Sequence, residues 1–135
     1  MSMIKGFGIL STGMSAQRTR LDVVSSNLAN ANTTRTAEGG PYKRQIPVFE
    51  SVGEDPDGVG LGVQVQSVET DPTEGPIVYD PGHPDADAQG YVHLPNVNVV
   101  EEMVDMMTAA RSFEANTQAF QTLRDMIQQA INLGR

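Results

Sequence analysis

The chain has 135 residues, 39% of them hydrophobic, which makes one domain's worth of chain with material for one modest core. It contains no cysteine, so disulfides, thiol nucleophiles and thiolate metal sites are excluded. The formal net charge is −8, and it is unevenly placed. Lys5, Arg18 and Arg20 against Asp22 leave residues 1–32 at +2, residues 97–135 carry −2, and the segment between carries the equivalent of the whole net charge. An acidic middle argues against nucleic acid as a partner and offers no basic patch for anionic lipid. Its simplest use is to keep an exposed region soluble.

The first element is a helix within residues 4–31. Phe7, Met14, Leu21 and Leu28 are spaced seven apart, and Leu10, Gln17, Val24 and Ala31 follow each by three, so that only Gln17 breaks an apolar heptad seam. Gly6, Gly8 and Gly13 weaken the first turns by up to about 1 kcal/mol each relative to alanine. The helix is therefore best supported from Met14 to Asn30, with the residues before it ordered only by a partner. Lys5 and the apolar residues after it are too short and too broken by glycine and serine to be a cleaved secretory signal, and no run in the chain is long enough to span a membrane.

All eight prolines lie from Pro41 to Pro95 and nine of the thirteen glycines from Gly39 to Gly90, which excludes long helices there. Alternating or β-branched runs predict strands at 42–49, 62–68, 77–79 and 91–94, the last two as arms of a long hairpin. Gly39-Gly40-Pro41, Asp57-Gly58, Asp71-Pro72 and Asp80-Pro81-Gly82 are the turns between them.

The last quarter is a second helix. Val99, Met103, Met106, Ala110, Phe113, Thr117, Phe120, Arg124, Ile127 and Ile131 alternate steps of four and three, with only Thr117 and Arg124 polar. Asn98 with Glu101 has capping-box spacing, Glu101, Glu102 and Asp105 face the positive end of the dipole, and Gly134 is the predicted stop. Both helices carry small neutral polar residues off the seam: Ser11, Thr12, Ser15, Ser25, Ser26, Asn27 and Asn30 on the first, and Thr108, Ser112, Asn116, Gln118, Gln121 and Thr122 on the last. A solvated helix face is more often rich in Glu and Lys, so these faces predict close packing against neighbours. The fold class is α+β, mainly α: long terminal helices, 1–32 and 97–135, paired as a coiled coil, with a small irregular β-rich insert at 33–96.

No catalytic pattern emerges. Asp85-Ala86-Asp87-Ala88-Gln89-Gly90 begins like a calcium loop, but its twelfth position is Asn96 and no helix precedes it. His83 and His93 with Asp85 or Asp87 match no standard ligand spacing. Glu54, Asp55 and Asp57 lie in a Pro/Gly turn with no apolar pocket to shift a pKa. No nucleophile elbow, P-loop or dinucleotide fingerprint is present. The expected site has no catalytic, metal or cofactor-binding residues, and the expected partners include no nucleic acid and no small-molecule substrate. The Met103, Met106 and Met107 patch suits either core or a surface that packs in several environments.

Ser26-Asn27-Leu28-Ala29-Asn30-Ala31-Asn32, together with Glu102-Met103-Val104 and Arg111-Ser112-Phe113-Glu114-Ala115-Asn116, resembles the two terminal signatures of bacterial flagellar rod, hook and related axial proteins. Gly40-Pro41-Tyr42-Lys43-Arg44, Val78-Tyr79-Asp80-Pro81-Gly82-His83-Pro84 and Gly90-Tyr91-Val92-His93-Leu94-Pro95-Asn96-Val97 narrow the likeness to the proximal rod members. The resemblance implies a structural subunit of the drive shaft that leaves the cytoplasm through the flagellar type III export apparatus without cleavage. It also implies helical assembly with its own copies, with other rod proteins and at the export-gate and MS-ring end. The terminal helices would form the inner tube and the insert the outer layer. Subunit packing is then expected from Phe7, Leu10, Met14, Leu21, Val24, Asn27, Leu28 and Asn30, and from Met103, Met106, Ala110, Phe113, Glu114, Asn116, Phe120, Ile127 and Ile131. The residues alone also admit a soluble helical-hairpin adaptor or chaperone-like module using the same seam.

Overall fold

The computed structural model describes residues 3–53 and 60–134. The expected Asp57-Gly58 turn and the Glu54, Asp55 and Asp57 carboxylates lie outside the described residues. The chain order is α1 (Met3–Ala29), β1 (Gln45–Ser51), β2 (Val63–Thr70), β3 (Ile77–Tyr79), β4 (Tyr91–His93) and α2 (Val99–Leu133). Two antiparallel two-stranded sheets form, β1 with β2 and β3 with β4. The β3–β4 ladder pairs Ile77 with His93, Val78 with Val92 and Tyr79 with Tyr91, which is the long hairpin expected from the sequence. A bulge between Val48 and Phe49 shifts the register of the β1–β2 ribbon.

The middle layer is α1. It packs on α2 along one side and on the β1–β2 ribbon along another, and among the described residues α2 packs against no strand. One tie to the ribbon is the Thr12 hydroxyl, which accepts from the Val63 N–H at 3.2 Å. The buried positions of the helix pair reflect this placement: Ala16, Val23, Val24 and Asn27 on α1, against Glu102 and Ala109 on α2; Val92 is buried separately in the β3–β4 hairpin. The core is thin, so ordering the chain depends on few contacts.

The helices run antiparallel. Gly6 faces Leu123 and Gly13 faces Asn116. Phe7 meets Phe120 edge to face with ring centroids 4.7 Å apart. The Thr117 hydroxyl lies 3.6 Å from the Met14 sulfur, and Arg20 reaches Asp105 at 2.7 Å. By this register the last two turns of α2 extend past the first described residue of α1.

Two expectations change here. First, α1 begins at Met3 and not near Met14. Two of the three glycines that lower its intrinsic propensity are where α2 comes close: a β-carbon would sit 3.0 Å from the Leu123 side chain at Gly6 and 3.1 Å from Asn116 at Gly13, whereas one at Gly8 would meet nothing within 4 Å among the described residues. Packing against α2 offsets the propensity cost. Second, the covered stripe of α2 is Glu102, Met106, Ala109, Phe113, Asn116, Phe120, Leu123 and Ile127. This keeps Met106, Phe113, Phe120 and Ile127 of the expected seam but replaces Met103, Ala110, Thr117 and Arg124 by the residue immediately before each. Ala110 and Thr117 are left on the flank, half-buried, and Met103 and Arg124 are exposed. Hydrophobicity placed Met103 inside and Glu102 outside, whereas the fold supplies Glu102 with partners and turns Met103 out.

Helix ends follow local chemistry. Asn98 caps α2 by accepting from the Val100 N–H, and the Gly134 N–H closes it onto the carbonyls of Ala130 and Ile131. Gly134 does so at φ −88°, without the left-handed geometry of the commonest glycine cap. No helix of the described residues is long and apolar enough to cross a membrane.

The β3–β4 hairpin yields a direct test. A β-carbon at Gly75 would lie 2.0 Å from the Leu94 carbonyl oxygen and 2.7 Å from the Pro95 carbonyl carbon, both backbone atoms. Gly75→Ala is expected to open the Pro76–Leu94 end of this ladder, where the Leu94 N–H bonds the Pro76 carbonyl at 2.9 Å. The loss stays local, because β3 and β4 pack on no other regular element. Amide hydrogen exchange checks it: protection should fall at Leu94 and along β4 and stay unchanged in α1.

Candidate assembly faces and the buried polar junction

Where α1, α2 and the start of β1 meet, the structure buries polar groups instead of apolar ones. Asn27, in the last turn of α1, is 1% exposed, and Glu102, in the first turn of α2, is 0% exposed. The Asn27 amide nitrogen donates to Glu102 Oε2 at 3.0 Å and to the Gln45 carbonyl at 2.9 Å. Its carbonyl oxygen accepts from the Gln45 N–H and from the Tyr42 hydroxyl, each at 2.9 Å. Two donors and two acceptor sites are therefore all used, which is the full capacity of the side chain. Toward Gln45 the amide behaves as one extra strand residue, pairing both backbone groups at the start of β1.

The other carboxylate oxygen of Glu102 accepts a short hydrogen bond from Arg44 Nε. That bond, opposed by partial burial and aided by Glu102 and Asp105 charge, raises the Arg44 guanidinium above its already very basic range, so it is a permanent cation. Arg44 also approaches Asp105 at 3.6 Å, and Asp105 is held by Arg20. Beyond the junction, the Arg44 N–H donates to the Asn96 side chain at 2.7 Å. The Asn96 amide in turn bonds the Asp71 and Thr73 carbonyls. One chain of polar contacts thus ties α1, the residues before β1, the end of β2 and the residues before α2. A buried carboxylate is tolerated because it is paired and every remaining neighbour is satisfied.

The acidic loops serve the insert's own backbone. Asp87 accepts from the backbone N–H groups of Tyr91 and Gln89, and the Tyr91 bond above all holds its carboxyl below the usual range. Asp71 is lowered in the same direction by the Thr73 hydroxyl and N–H. Asp85 takes the Thr34 hydroxyl at 2.8 Å and faces Arg35 at 3.6 Å, and the Asp85 N–H donates to His83 Nδ1. The residues singled out as a calcium-like loop or histidine–acid cluster are engaged in shaping turns.

The remaining candidate faces are apolar or neutral. On α2, Val100 (69% exposed), Met103 (53%), Val104 and Met107 form a stripe pointing away from α1, and Met126, Ile131 and Leu133 are exposed near the other end. Several hydroxyls on exposed helix faces bond back to the carbonyl four residues earlier: Thr19 and Ser25 on α1, Thr108 and Thr122 on α2. Such a donor is already satisfied, so the face can be covered without stranding it. Inside, the Gln17 side-chain oxygen is buried without a hydrogen-bond partner among the described residues.

Of the residues expected to pack subunits, Val24 and Asn27 are buried within the chain. Phe7, Leu10, Met14, Leu21, Leu28 and Asn30 are half-buried on α1, as are Met106, Ala110, Phe113, Asn116, Phe120 and Ile127 on α2. Met103, Glu114 and Ile131 are exposed. Asn27 and Asn116 were expected on the outer neutral faces; Asn27 instead turns inward to Gln45 and Glu102, and Asn116 lies against Gly13. Sequence reasoning missed Arg44, Glu102, Tyr42, Arg20 and Asp105 as a cluster. The one available signal was the seven-residue spacing of Glu102, Ala109, Asn116 and Leu123, which runs parallel to the apolar seam.

Two family models match the chain, and both fall on its helical ends. Residues 8–35 match the flagella basal body rod protein family, and residues 88–133 match the flagellar basal body rod FlgEFG protein C-terminal family. Full-length relatives decide the matter. The flagellar basal-body rod protein FlgC of Borreliella burgdorferi is 42% identical over 97% of both chains. That of Bacillus subtilis is 37% identical and that of Salmonella typhimurium 41%, each over the whole of both chains. The chain belongs to the FlgC family of flagellar basal-body rod proteins. As a FlgC-family member it is a structural subunit of the flagellar basal-body rod and not an enzyme. The junction described above therefore serves shape: in this FlgC-family chain Asn27 and Glu102, each within a stretch that carried the resemblance, join the two matched ends to each other and to the insert.

Proposed function

We propose that this chain is a proximal rod subunit that transmits torque by rigid packing. Its terminal helices, 1–32 and 97–135, pair as a coiled coil in the inner tube, and its insert, 33–96, lies outside. The observation that carries this reading is the outer stripe of α2, Val100, Met103, Val104 and Met107, left uncovered by the chain's own α1 and insert. A helix apolar on both its inner and outer faces needs a second partner. Copies of the same chain and other rod proteins supply it, with the neutral, internally bonded hydroxyl faces packing closely beside the stripe. The half-buried residues, among them Phe7, Leu10, Leu28, Phe113, Phe120 and Ile127, act at this contact by setting the helix pair's shape, and Met103 and Ile131 act directly. Export through the flagellar type III apparatus without cleavage, and seating at the export-gate and MS-ring end, complete this reading. The acidic insert fits an outer, solvated layer.

The test separates folding from assembly. Met103→Asp and Ile131→Asp alter exposed side chains, so the purified variants should keep the circular dichroism and, within about 0.5 kcal/mol, the stability of the unaltered chain. In cells they should abolish swimming and leave basal bodies with incomplete rods, because a charge buried at a subunit contact is costly. Normal swimming with complete rods in both variants would overturn the assignment of these faces.

A further inference from the structure

Met103 and Met107 sit one turn apart on the outer stripe of α2, and with Met126 each is more than half exposed. Met106 is half-buried in the stripe facing α1, and the Met14 sulfur is half-buried against the Thr117 hydroxyl. The chain has no cysteine, so among the described side chains the exposed thioethers are the groups most open to a two-electron oxidant.

We propose that Met103 and Met107 are a peroxide-sensitive modification site on the free subunit, and that their oxidation blocks incorporation into the rod. The inference rests on the reading of the outer α2 stripe as a subunit contact. Hydrogen peroxide transfers one oxygen atom to the thioether: the O–O bond breaks, an S–O bond forms, sulfur loses two electrons and water leaves. The product is a polar sulfoxide with a strong acceptor and no donor. On the isolated chain, water satisfies that acceptor and stability is unaffected. Within a contact made by Val100 and Val104, which carry no side-chain donor, it is stranded. Once assembled, the same sulfurs are covered and protected, so the site acts as a checkpoint on subunits that have not yet been incorporated.

Two measurements test this. Peptide mass spectrometry after graded peroxide treatment of the purified full chain should show Met103, Met107 and Met126 oxidised before Met14 and Met106; the reverse order overturns the proposal. In cells, Met103→Gln with Met107→Gln places a polar group at both sites, and Met103→Leu with Met107→Leu makes both inert. The Gln pair should fold normally by circular dichroism yet reduce the chain's content in purified basal bodies at least tenfold, and peroxide stress that depletes the unaltered chain should leave the Leu pair's own content, whatever its level, unchanged. Normal incorporation of the Gln pair overturns the proposal while the rod reading stands. Absence of the unaltered chain from purified basal bodies would overturn that reading itself.

Discussion

Arg44→Ala is expected to destabilise the chain by about 3–5 kcal/mol, the usual cost of stranding one member of a buried ion pair. Glu102 is fully buried, and Arg44 is the cation that reaches its carboxylate. Removing the guanidinium leaves the charge facing one neutral donor, the Asn27 amide. The thin core makes this a large fraction of a stability that for most domains totals about 5–15 kcal/mol. A urea unfolding series measures it. Arg44→Met combined with Glu102→Leu should recover most of the loss, since an apolar pair of similar volume carries no stranded charge. A single Arg44→Ala variant within about 1 kcal/mol of the unaltered chain would show that water reaches the carboxylate. The effect should be the same whether the protein is free or assembled, because the contact is internal to one chain.

Asn27→Leu should be nearly as damaging, at about 2–4 kcal/mol, for a different reason. Its amide makes four hydrogen bonds, to both backbone groups of Gln45, to Tyr42 and to Glu102. Leucine keeps the volume and breaks all four. Tyr42 and Gln45 are half-buried and recover some bonding from water, whereas the Glu102 carboxylate is enclosed. Asn27→Asp is the sharper control: it keeps the size and the two accepted bonds, loses both donated ones and sets a second carboxylate beside Glu102. It should cost at least as much as leucine. The site of damage also identifies the mechanism. Hydrogen exchange at the Gln45 amide should accelerate well before global unfolding in the leucine variant, which removes the acceptor for that N–H, and much less in the aspartate variant, which keeps it. An unchanged Gln45 amide would mean that the strand start is held by β2 alone.

These two side chains also show where sequence reasoning reached its limit. Asn27 and Glu102 both lie in stretches that carried the resemblance to axial proteins, so their neighbourhood was legible. Their direction was not. Asn27 was placed on an outer neutral face, and Glu102 was read as a charge at the helix dipole. Periodicity scores apolarity and has no means of detecting that Arg44, 58 residues away, supplies a counter-charge inside.

What the sequence determined by itself is local and compositional. Proline and glycine density confined helices to the two ends, alternation marked four strands, and the 77–79 and 91–94 runs paired as expected. Asn98 and Gly134 fixed the ends of α2; the terminal words marked the wider group of rod, hook and axial proteins, and the words of the middle segment narrowed it. Only the tertiary structure decided which face of α2 meets α1. Two stripes one residue apart share Met106, Phe113, Phe120 and Ile127, and an apolar count does not separate them: one adds Met103 and Ala110 with Thr117 and Arg124, the other Ala109 and Leu123 with Glu102 and Asn116. The fold takes the one through Glu102, Ala109, Asn116 and Leu123. Gly13 leaves room for Asn116, and Arg44 and Asn27 neutralise and bond Glu102. Met103, turned out by that choice, joins Val100, Val104 and Met107 in the outer stripe, which is the surface left for a neighbour.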